Sequence, residues 1–507
     1  MYEIIFSEAK NGSKTCRING LTMHSSYNPE LEAERFACAI NIDFKPSKIF
    51  IIEPGISYCA EPLKKRFPGI EIFAVRFVDD FSTYDKFFSG VFHFRKENPL
   101  EFEEKIYSAI DEGDLCSALF LEWQPSAKIF SSEMKAFSCS VKKIIEKSKT
   151  SFLTESYFSK RWFKNSIIFN IRLKKTCRLK SGNEPIVMCA SGPSLESALP
   201  FLAKNRKRFF LIAASSAISV LLKNRIVPDL ALSTDGGFWA KNHLEYDRRY
   251  NFPVAITNEA AFPKKLTETS KIFPLLYDDG YASFLTKKIF EKLNLPFISA
   301  KRNGTVSGTM LFLSLSLTSG KIFACGLDLE SAPGNQHALP NRNEENSAKN
   351  ENRIYSRESR LSAERFGSNS LEIYRNWFTS ESEKFCERFF RLSDNYKYRH
   401  SLGKIKDVDF SYFERYLESL RTKTGRIKII ENPMIDDEKK SVTKKIIRDF
   451  ISDAEKSAEF EKSIFKAEHI FMEKLKDEDA IKKMEKNIDE KKDAFFSSVV
   501  RIIGSGT

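Results

Sequence analysis

The sequence predicts an α/β protein: a central Rossmann-like domain built on a parallel sheet, a smaller N-terminal α/β domain and an all-α C-terminal region. Three observations predict it. In the middle of the chain, short apolar runs end in small or polar residues, as strands buried on both faces do: Val187-Met-Cys-Ala190, Leu211-Ile-Ala-Ala214, Leu230-Ala-Leu-Ser233, Val254-Ala-Ile-Thr257 and Ile322-Phe-Ala-Cys325. Stretches of helical spacing separate them, at 195–205, 217–224, 281–293 and 306–319, which implies right-handed crossovers between parallel strands. Beyond Asn343 the chain becomes polar and glycine-poor, with Lys and Glu filling the positions between apolar residues at helical spacing.

Taken in order, residues 1–140 read as the N-terminal α/β domain. Lys48-Ile-Phe-Ile-Ile-Glu-Pro-Gly55 is a strand and turn, 58–67 has helical spacing, and Ile70-Glu-Ile-Phe-Ala-Val-Arg-Phe77 is the next strand, giving one βαβ unit. The Glu53-Pro-Gly55 turn resembles half of a nucleotide-binding fold, with a structural role or a ligand site both open. Residues 141–345 form the central domain, entered through a helical, increasingly basic connector at 140–180. Residues 346–507 form the helical domain, expected to bind partners, with helices around 371–391 and a long one at about 438–492; Asn341–Asn352 reads as a loop.

Composition narrows the function classes. A chain of 507 residues exceeds one core. No apolar run reaches the ~20 residues of a membrane span, and the start, Met1-Tyr-Glu-Ile-Ile-Phe, lacks a secretory signal, so residence in the cytoplasm is expected. Nine cysteines without a CxxC pair, in apolar runs such as those of Cys38, Cys189 and Cys325, read as reduced core thiols. Six histidines without HExxH spacing indicate no metal site. The net charge of +13, from 81 basic and 68 acidic residues, is interleaved along the chain. That is a solvated surface rather than a nucleic-acid footprint, although it favours anionic small partners such as nucleotides.

In parallel sheets, ligands bind at the carboxyl ends of the strands. Ser191, Gly192, Pro193, Ser194, Ser215, Asp235, Asn258, Gly326 and Asp328 are therefore expected to converge. Ser191-Gly-Pro-Ser194 is a small-residue turn before a helix, suited either to a plain βα connection or to a phosphate. Asn303-Gly-Thr-Val-Ser-Gly-Thr309 is a second such turn, with Ser307, Gly308 and Thr309 at the helix start and Lys301 and Arg302 before it. Asp235 and Asp328 suit ribose hydroxyls, a metal or a turn cap. His337 is the general-base candidate among the histidines.

As an ordered set, Cys189-Ala-Ser-Gly-Pro-Ser-Leu195, Ala214-Ser-Ser216, Ile226-Val-Pro-Asp229 with Ser233-Thr-Asp235, Gly304-Thr-Val-Ser-Gly308, and Gly326-Leu-Asp-Leu329 followed by Gln336-His-Ala338 resemble the motility accessory factor (Maf) family. The resemblance spans about residues 150–400. It implies a central domain like that of 6-hydroxymethylpterin diphosphokinases (MptE-like) and similar in fold to bacterial sialyltransferases. It further implies transfer of a nonulosonic acid, of the pseudaminic or legionaminic type, from a CMP donor to Ser or Thr of flagellin. On that basis Ser191–Ser194, Ser215, Asp235, Asn258, Ser307–Thr309, Gly326 and Asp328 would hold the nucleotide, Arg302 or Arg342 the donor carboxylate, and His337 would take the acceptor proton, with no cofactor required. Where the sialyltransferases tend to have asparagines, this chain has Ser191, Ser215 and Asp235. Two alternatives stand beside this reading. A diphosphokinase would bind magnesium and ATP through Asp235, Asp278, Asp279 or Asp328, and a non-catalytic flagellar assembly factor would use the C-terminal helices.

Overall fold

Short continuous apolar runs, buried on both faces, build the middle strands of the two larger sheets. In the computed structural model, which describes residues 2–42, 44–247, 249–269, 271–330, 336–354, 356, 370–392, 400–420, 425–473, 475 and 477–504, the chain forms two compact units, Met1–Tyr157 with Ile464–Asp489 and Phe158–Ser463 with Glu490–Thr507.

The first unit opens with an antiparallel sheet of β1 (Ile4–Glu8), β2 (Lys14–Ile18) and β3 (Leu21–Thr22), followed by helix α1 (Pro29–Ala39). The expected βαβ unit is present as β4 (Lys48–Ile52), α2 (Ala60–Arg66) and β5 (Glu71–Arg76). Two further strands, β6 (Gly90–His93) and β7 (Leu119–Glu122), complete a parallel sheet in the order β6-β5-β4-β7, with α3 (Pro99–Ala109), α4 (Glu112–Cys116) and α5 (Gln124–Ile129) in the connections. Its core is rich in stacked rings, Phe50 lying on Phe73 and Phe120.

At the Glu53-Pro-Gly55 turn the chain's own side chains fill the ligand position. Arg76, fully buried, donates to Glu53 at 3.0 Å, to the Gly55 carbonyl and to the Ser57 hydroxyl, while Glu53 accepts from the Phe77 amide. The Ile56 amide, which would face a phosphate, donates to His24 Nε2 at 2.9 Å. Gly55 has φ +55°, and a Cβ there would stand 2.5 Å from that same nitrogen. The structural reading of this turn therefore prevails.

Helix α6 (Ser131–Arg172) is continuous through 157/158, so the boundary expected at 140/141 falls inside it. The basic connector is not helical to 180. It ends at Arg172, and Lys175–Lys180 is strand β8.

The second unit is an eleven-stranded sheet among the described residues. Its middle is β9 (Ile186–Cys189), α7 (Leu195–Asn205), β10 (Phe210–Ala214), α8 (Ile218–Lys223), β11 (Leu230–Ser233), β12 (Val254–Thr257), α9 (Lys264–Thr269), β13 (Ile272–Tyr277), α10 (Gly280–Leu293), β14 (Ile298–Ala300), α11 (Val306–Leu317) and β15 (Ile322–Cys325). Side chains alternate between two cores: Ile186 and Met188 join one face of the sheet, Val187 and Cys189 the other. Helix α12 (Arg342–Lys349) stands where a loop was expected, and the boundary expected at 345/346 lies inside it.

After it, the expected helices are present at Ser370–Glu381, Asp437–Glu455, Ala458–Ile464, Lys466–Glu473 and Glu478–Gly504, together with one that was not expected, Phe410–Ser419. They differ from the expectation in two ways. The long helix is divided, and the same stretch of chain gives the sheet three strands: β16 (Phe389–Leu392), within the segment read as helical, β17 (Lys406–Val408) and β18 (Lys428–Met434). The order is β17-β16-β15-β9-β10-β11-β12-β13-β8-β18 with β14 on β13, and only β18 runs antiparallel to its neighbour. Among the described residues no helix is long and apolar enough to cross a membrane. Cys189 and Cys325 are buried as expected, whereas Cys38 is exposed, its side of α1 facing solvent.

Candidate functional site

Chain order reverses between β9 and β15: strands β10 to β13 lie to one side of β9 and β15 to β17 to the other. A crevice at the carboxyl ends of the strands is expected at such a reversal. Ser191–Ser194 follows β9 and Gly326–Asp328 follows β15, so the two turns meet there. The Gly192 amide donates to the Gly326 carbonyl at 2.9 Å, and the Ser194 amide to Asp328 Oδ2 at 2.8 Å, with the Ser194 hydroxyl on Oδ1. Gly326 has φ +67°, and a Cβ there would lie 2.5 Å from the Ala190 carbonyl; one on Gly192 would lie 2.5 Å from Asp328. Only glycines allow this approach.

Asp328, 3% exposed, is thus the latch of the turn, and its carboxyl is pushed up by burial against the lowering effect of the Ser194 bonds. Of the roles open to it, the one its contacts carry is holding the turn. The amides of Leu195 and Glu196 are also bonded, to the carbonyls of Gly192 and Pro193. With Pro193 lacking an N–H, the turn has few amides left for a phosphate, so it presents hydroxyls instead: Ser191 Oγ lies 2.9 Å from Ser216 Oγ, beside the buried Ser215.

The segment after β15 is pinned onto these turns. The Ala338 amide donates to the Ser191 carbonyl at 2.8 Å, the Leu339 amide to Glu196 Oε1 at 2.8 Å, and Asn341 Nδ2 to the Ser216 carbonyl at 3.1 Å. His337 is therefore held at the crevice, its side chain 28% exposed and Nδ1 3.2 Å from Glu344 Oε1. Of the loop before it, residues 331–335 lie outside the described residues.

Asp235 links the two halves of the site. Its Oδ1 accepts from the Gly237 amide at 2.7 Å, and its side chain is otherwise exposed. Gly236 rests on Trp162, where a Cβ would come within 2.6 Å. The 3₁₀ turn Phe238–Leu244 that follows packs against Ser215–Ala217 and against α12. Its His243 is buried and held down to about 4, first by burial and then by His337 and Arg342, with Asp235 opposing. On the other side, Tyr374 lies against Gly304 and is pushed up by burial and by Asp235. Tyr277, buried at the end of β13, is pushed up to about 12 chiefly by burial, with Arg302 and the neighbouring Thr234 and Thr309 side chains opposing. Thr309 of the second turn thus neighbours the same strand end. There Thr305 caps α11 by accepting from the Ser307 amide, and Gly308 gives room to the Asn303 side chain, whose Cγ would be 2.7 Å from a Cβ.

Three expected site residues have other attachments. Asn258 is fully buried and donates to Thr286 of α10, which also receives the Asn170 amide. Arg302 lies between the rings of Trp162 and Tyr277, at 4.5 and 4.2 Å, and is paired with Glu259 at 2.7 Å and Asp279 at 2.8 Å. Burial alone would lower its pKa, but the two carboxylates hold it above the ordinary value. Two acids on one guanidinium leave that spot net negative, which disfavours a ligand carboxylate. Among the described residues Arg342, half exposed, pairs only with Glu345 of its own helix at 3.1 Å, an exchangeable contact.

Sequence reasoning missed Ser216, His243, Tyr277, Glu344 and Tyr374. Only Glu344 had a local signal: Asn341-Arg-Asn-Glu344 has the spacing of a helix N-cap followed by Glu at the third helical position, and Asn341 Oδ1 does accept from the amides of Asn343 and Glu344. Among the described residues no group of three His, Cys, Asp or Glu is placed to hold a metal ion. A polar cleft in the first unit is lined by Asp79, His93, Arg95, Asn98 and Glu101, with Asp79 accepting from both His93 and Arg95.

Comparison with known proteins bears on this arrangement. Residues 160–333 match the family model described as 6-hydroxymethylpterin diphosphokinase MptE-like, so the chain carries an MptE-like domain. A protein of Treponema pallidum (strain Nichols), described as uncharacterized, is 29% identical over 292 residues, 58% of this chain and 64% of that relative's length. The structure of the MAf glycosyltransferase from Magnetospirillum magneticum AMB-1 is similar with a TM-score of 0.60 and 10% identity, over 99% of this chain and 92% of that one. At that identity the likeness is one of fold, and with the MptE-like domain it agrees with the Maf resemblance of the motifs.

Proposed function

We propose that this chain is a glycosyltransferase moving a nonulosonic acid of the pseudaminic or legionaminic type from its CMP donor to Ser or Thr hydroxyls of flagellin, in the cytoplasm and without a cofactor. The observation that carries the proposal is the gathering of two hydroxyl-rich turns, Asp235 and His337 at one edge of a sheet whose fold is shared with a MAf glycosyltransferase.

In this reading Ser191, Ser215, Ser216 and Thr309 meet the nucleotide through hydroxyls, and Asp235 accepts ribose hydroxyls. Arg342 exchanges Glu345 for the donor carboxylate, a role that its exposed, local ion pair suits better than the doubly paired Arg302. His337 takes the proton of the acceptor hydroxyl as its oxygen bonds to the anomeric carbon. The bond from that carbon to the phosphate oxygen breaks, and CMP leaves with the electron pair.

The test is a purified reaction of chain, CMP-activated nonulosonic acid and flagellin, followed by the mass of flagellin. Wild type adds the sugar mass with or without chelator, and His337→Ala slows addition by about 100-fold or more. Unmodified flagellin with wild type sinks the proposal. An unchanged rate in His337→Ala removes His337 from the chemistry, and intact glycan with lost motility in cells favours the assembly factor.

The match of residues 160–333 to a diphosphokinase-related model favours one second reading, transfer of diphosphate from ATP to a hydroxymethylpterin with magnesium. Three of its four carboxylates are engaged here, Asp328 with Ser194, Asp279 with Arg302 and Asp278 with Ser299, while Asp235 is exposed. Formation of AMP from ATP and 6-hydroxymethylpterin, abolished by chelator, is the result that would establish it.

A further inference from the structure

Resting on the transferase reading, we infer that Glu344 is the positioning residue of His337, forming with it a carboxylate–imidazole dyad that fixes the base for proton removal from the acceptor. The inference starts from a hydrogen-bond argument. Glu344 is 6% exposed, and its Oε1 faces both the Gln336 amide and His337 Nδ1, each at 3.2 Å. A carboxylate oxygen is an acceptor, so the ring nitrogen it faces carries the hydrogen. Neutral His337 is then the Nδ1–H tautomer, and its lone pair sits on Nε2, the atom free to act as a base. When Nε2 takes a proton, the imidazolium gains a charged partner at Nδ1 without any movement of either group.

Each member of the dyad also has an anchor of its own outside the pair. Glu344 rides on the first turn of α12, whose cap Asn341 is fully buried and tied to the Ser216 carbonyl. His337 is next to Ala338, also fully buried, whose amide is tied to the Ser191 carbonyl. The two backbone anchors are the turns that follow β10 and β9, so the geometry of the base is set by the same turns that line the crevice. Among the described residues, Arg342 from α12 and Asp235 from the segment after β11 act with His337 on the neighbouring His243. His243 is buried and held neutral, which places it as a wall of the site and leaves the acceptor proton to the half-exposed His337.

In the step itself the acceptor hydroxyl oxygen bonds to the anomeric carbon, the bond from that carbon to the donor phosphate breaks with its electrons leaving on the nucleoside monophosphate, and the hydroxyl proton passes to Nε2. Glu344 takes no proton and touches no substrate. Its contribution is tautomer, orientation and charge.

The experiment uses the full chain labelled with ¹⁵N at histidine, in which six signals sets are expected and the His337→Ala variant identifies one of them. In wild type at neutral pH, His337 gives the shifts of an Nδ1–H, Nε2 lone-pair ring. Glu344→Gln, which keeps an acceptor but removes the charge, retains that tautomer and lowers kcat for sugar transfer about 10-fold with KM for the donor little changed; Glu344→Ala lowers kcat about 100-fold and lets the Nε2–H tautomer appear. Melting curves of the two variants separate an unfolded chain from a folded one with a misdirected ring. An Nε2–H His337 in wild type overturns the dyad, as does a Glu344→Ala variant that folds with the wild-type spectrum and rate. If wild type transfers no sugar, the transferase reading fails by itself, and the spectrum of His337 still decides whether the pair exists.

Discussion

Polar residues of one type take different roles here according to what surrounds them. Asp328 and Asp235 both follow a strand of the same sheet, yet Asp328 is buried under Ser194 while Asp235 keeps an exposed carboxylate. Arg302 and Arg342 both suited an anion by sequence, but the aromatic faces and two acids around Arg302 commit it to the fold. Nothing local distinguished the members of either pair, because burial and partners come from strands far apart in the chain. His243 leads to a prediction at this scale. Its folded pKa of about 4 lies below the ordinary value of 6.5, so between those values the unfolded chain binds the extra proton. Stability is therefore full above pH 6.5 and falls as pH is lowered toward 4, by as much as ~3 kcal/mol from this residue. Denaturant unfolding of wild type and His243→Gln across pH 7 to 4 measures it: the variant is expected to lose less stability over that window, and parallel curves refute the assignment.

Elements were legible where their apolar period was complete. The helix α7 was predicted at 195–205 and is found there, and the strands β9 to β12 and β15 begin and end within a residue or two of the runs that predicted them. The strands β16, β17 and β18 were hidden because charged and polar residues, Arg391, Lys406 with Asp407, and Glu431 with Asn432, break the continuous apolar run that marked the middle strands. Helix α12 was hidden for a different reason: it is polar on nearly all sides, and its start is recorded only in Asn341 and Glu344. Asn341 both caps α12 and ties it to Ser216, so Asn341→Ala is expected to cost about 1–2 kcal/mol and to slow transfer by loosening His337. A thermal melt together with the transfer rate checks this; a destabilised variant with an unaltered rate would separate the helix from the chemistry.

At the scale of the whole molecule, two parallel sheets in one chain have different fates at their strand ends. In the first unit the turn after β4 is closed by His24 and by the buried pair of Arg76 and Glu53, with Asp85 on Arg76 Nε at 2.8 Å. Glu53→Ala leaves Arg76 with Asp85 as its one charged partner and takes the acceptor from the Phe77 and Val78 amides, so it is expected to cost about 3 kcal/mol in the first unit. Denaturant curves followed by a probe in that unit test it, and a single variant as stable as wild type would contradict it.

The sequence by itself determined the α/β class, the parallel middle strands and the edge of the sheet where function was to be sought, because apolar period and small-residue turns act within a few residues. It also carried the ordered motifs that resemble the Maf family. Tertiary structure alone decided that Asp328 latches the first turn, that Arg302 is bound by Glu259 and Asp279, that three late strands extend the sheet, and that Glu344 stands beside His337. Those outcomes depend on hydrogen bonds and burial between segments up to 256 residues apart, as for Asn432 of β18 and Thr176 of β8, and no local pattern records which distant group will take up a given donor.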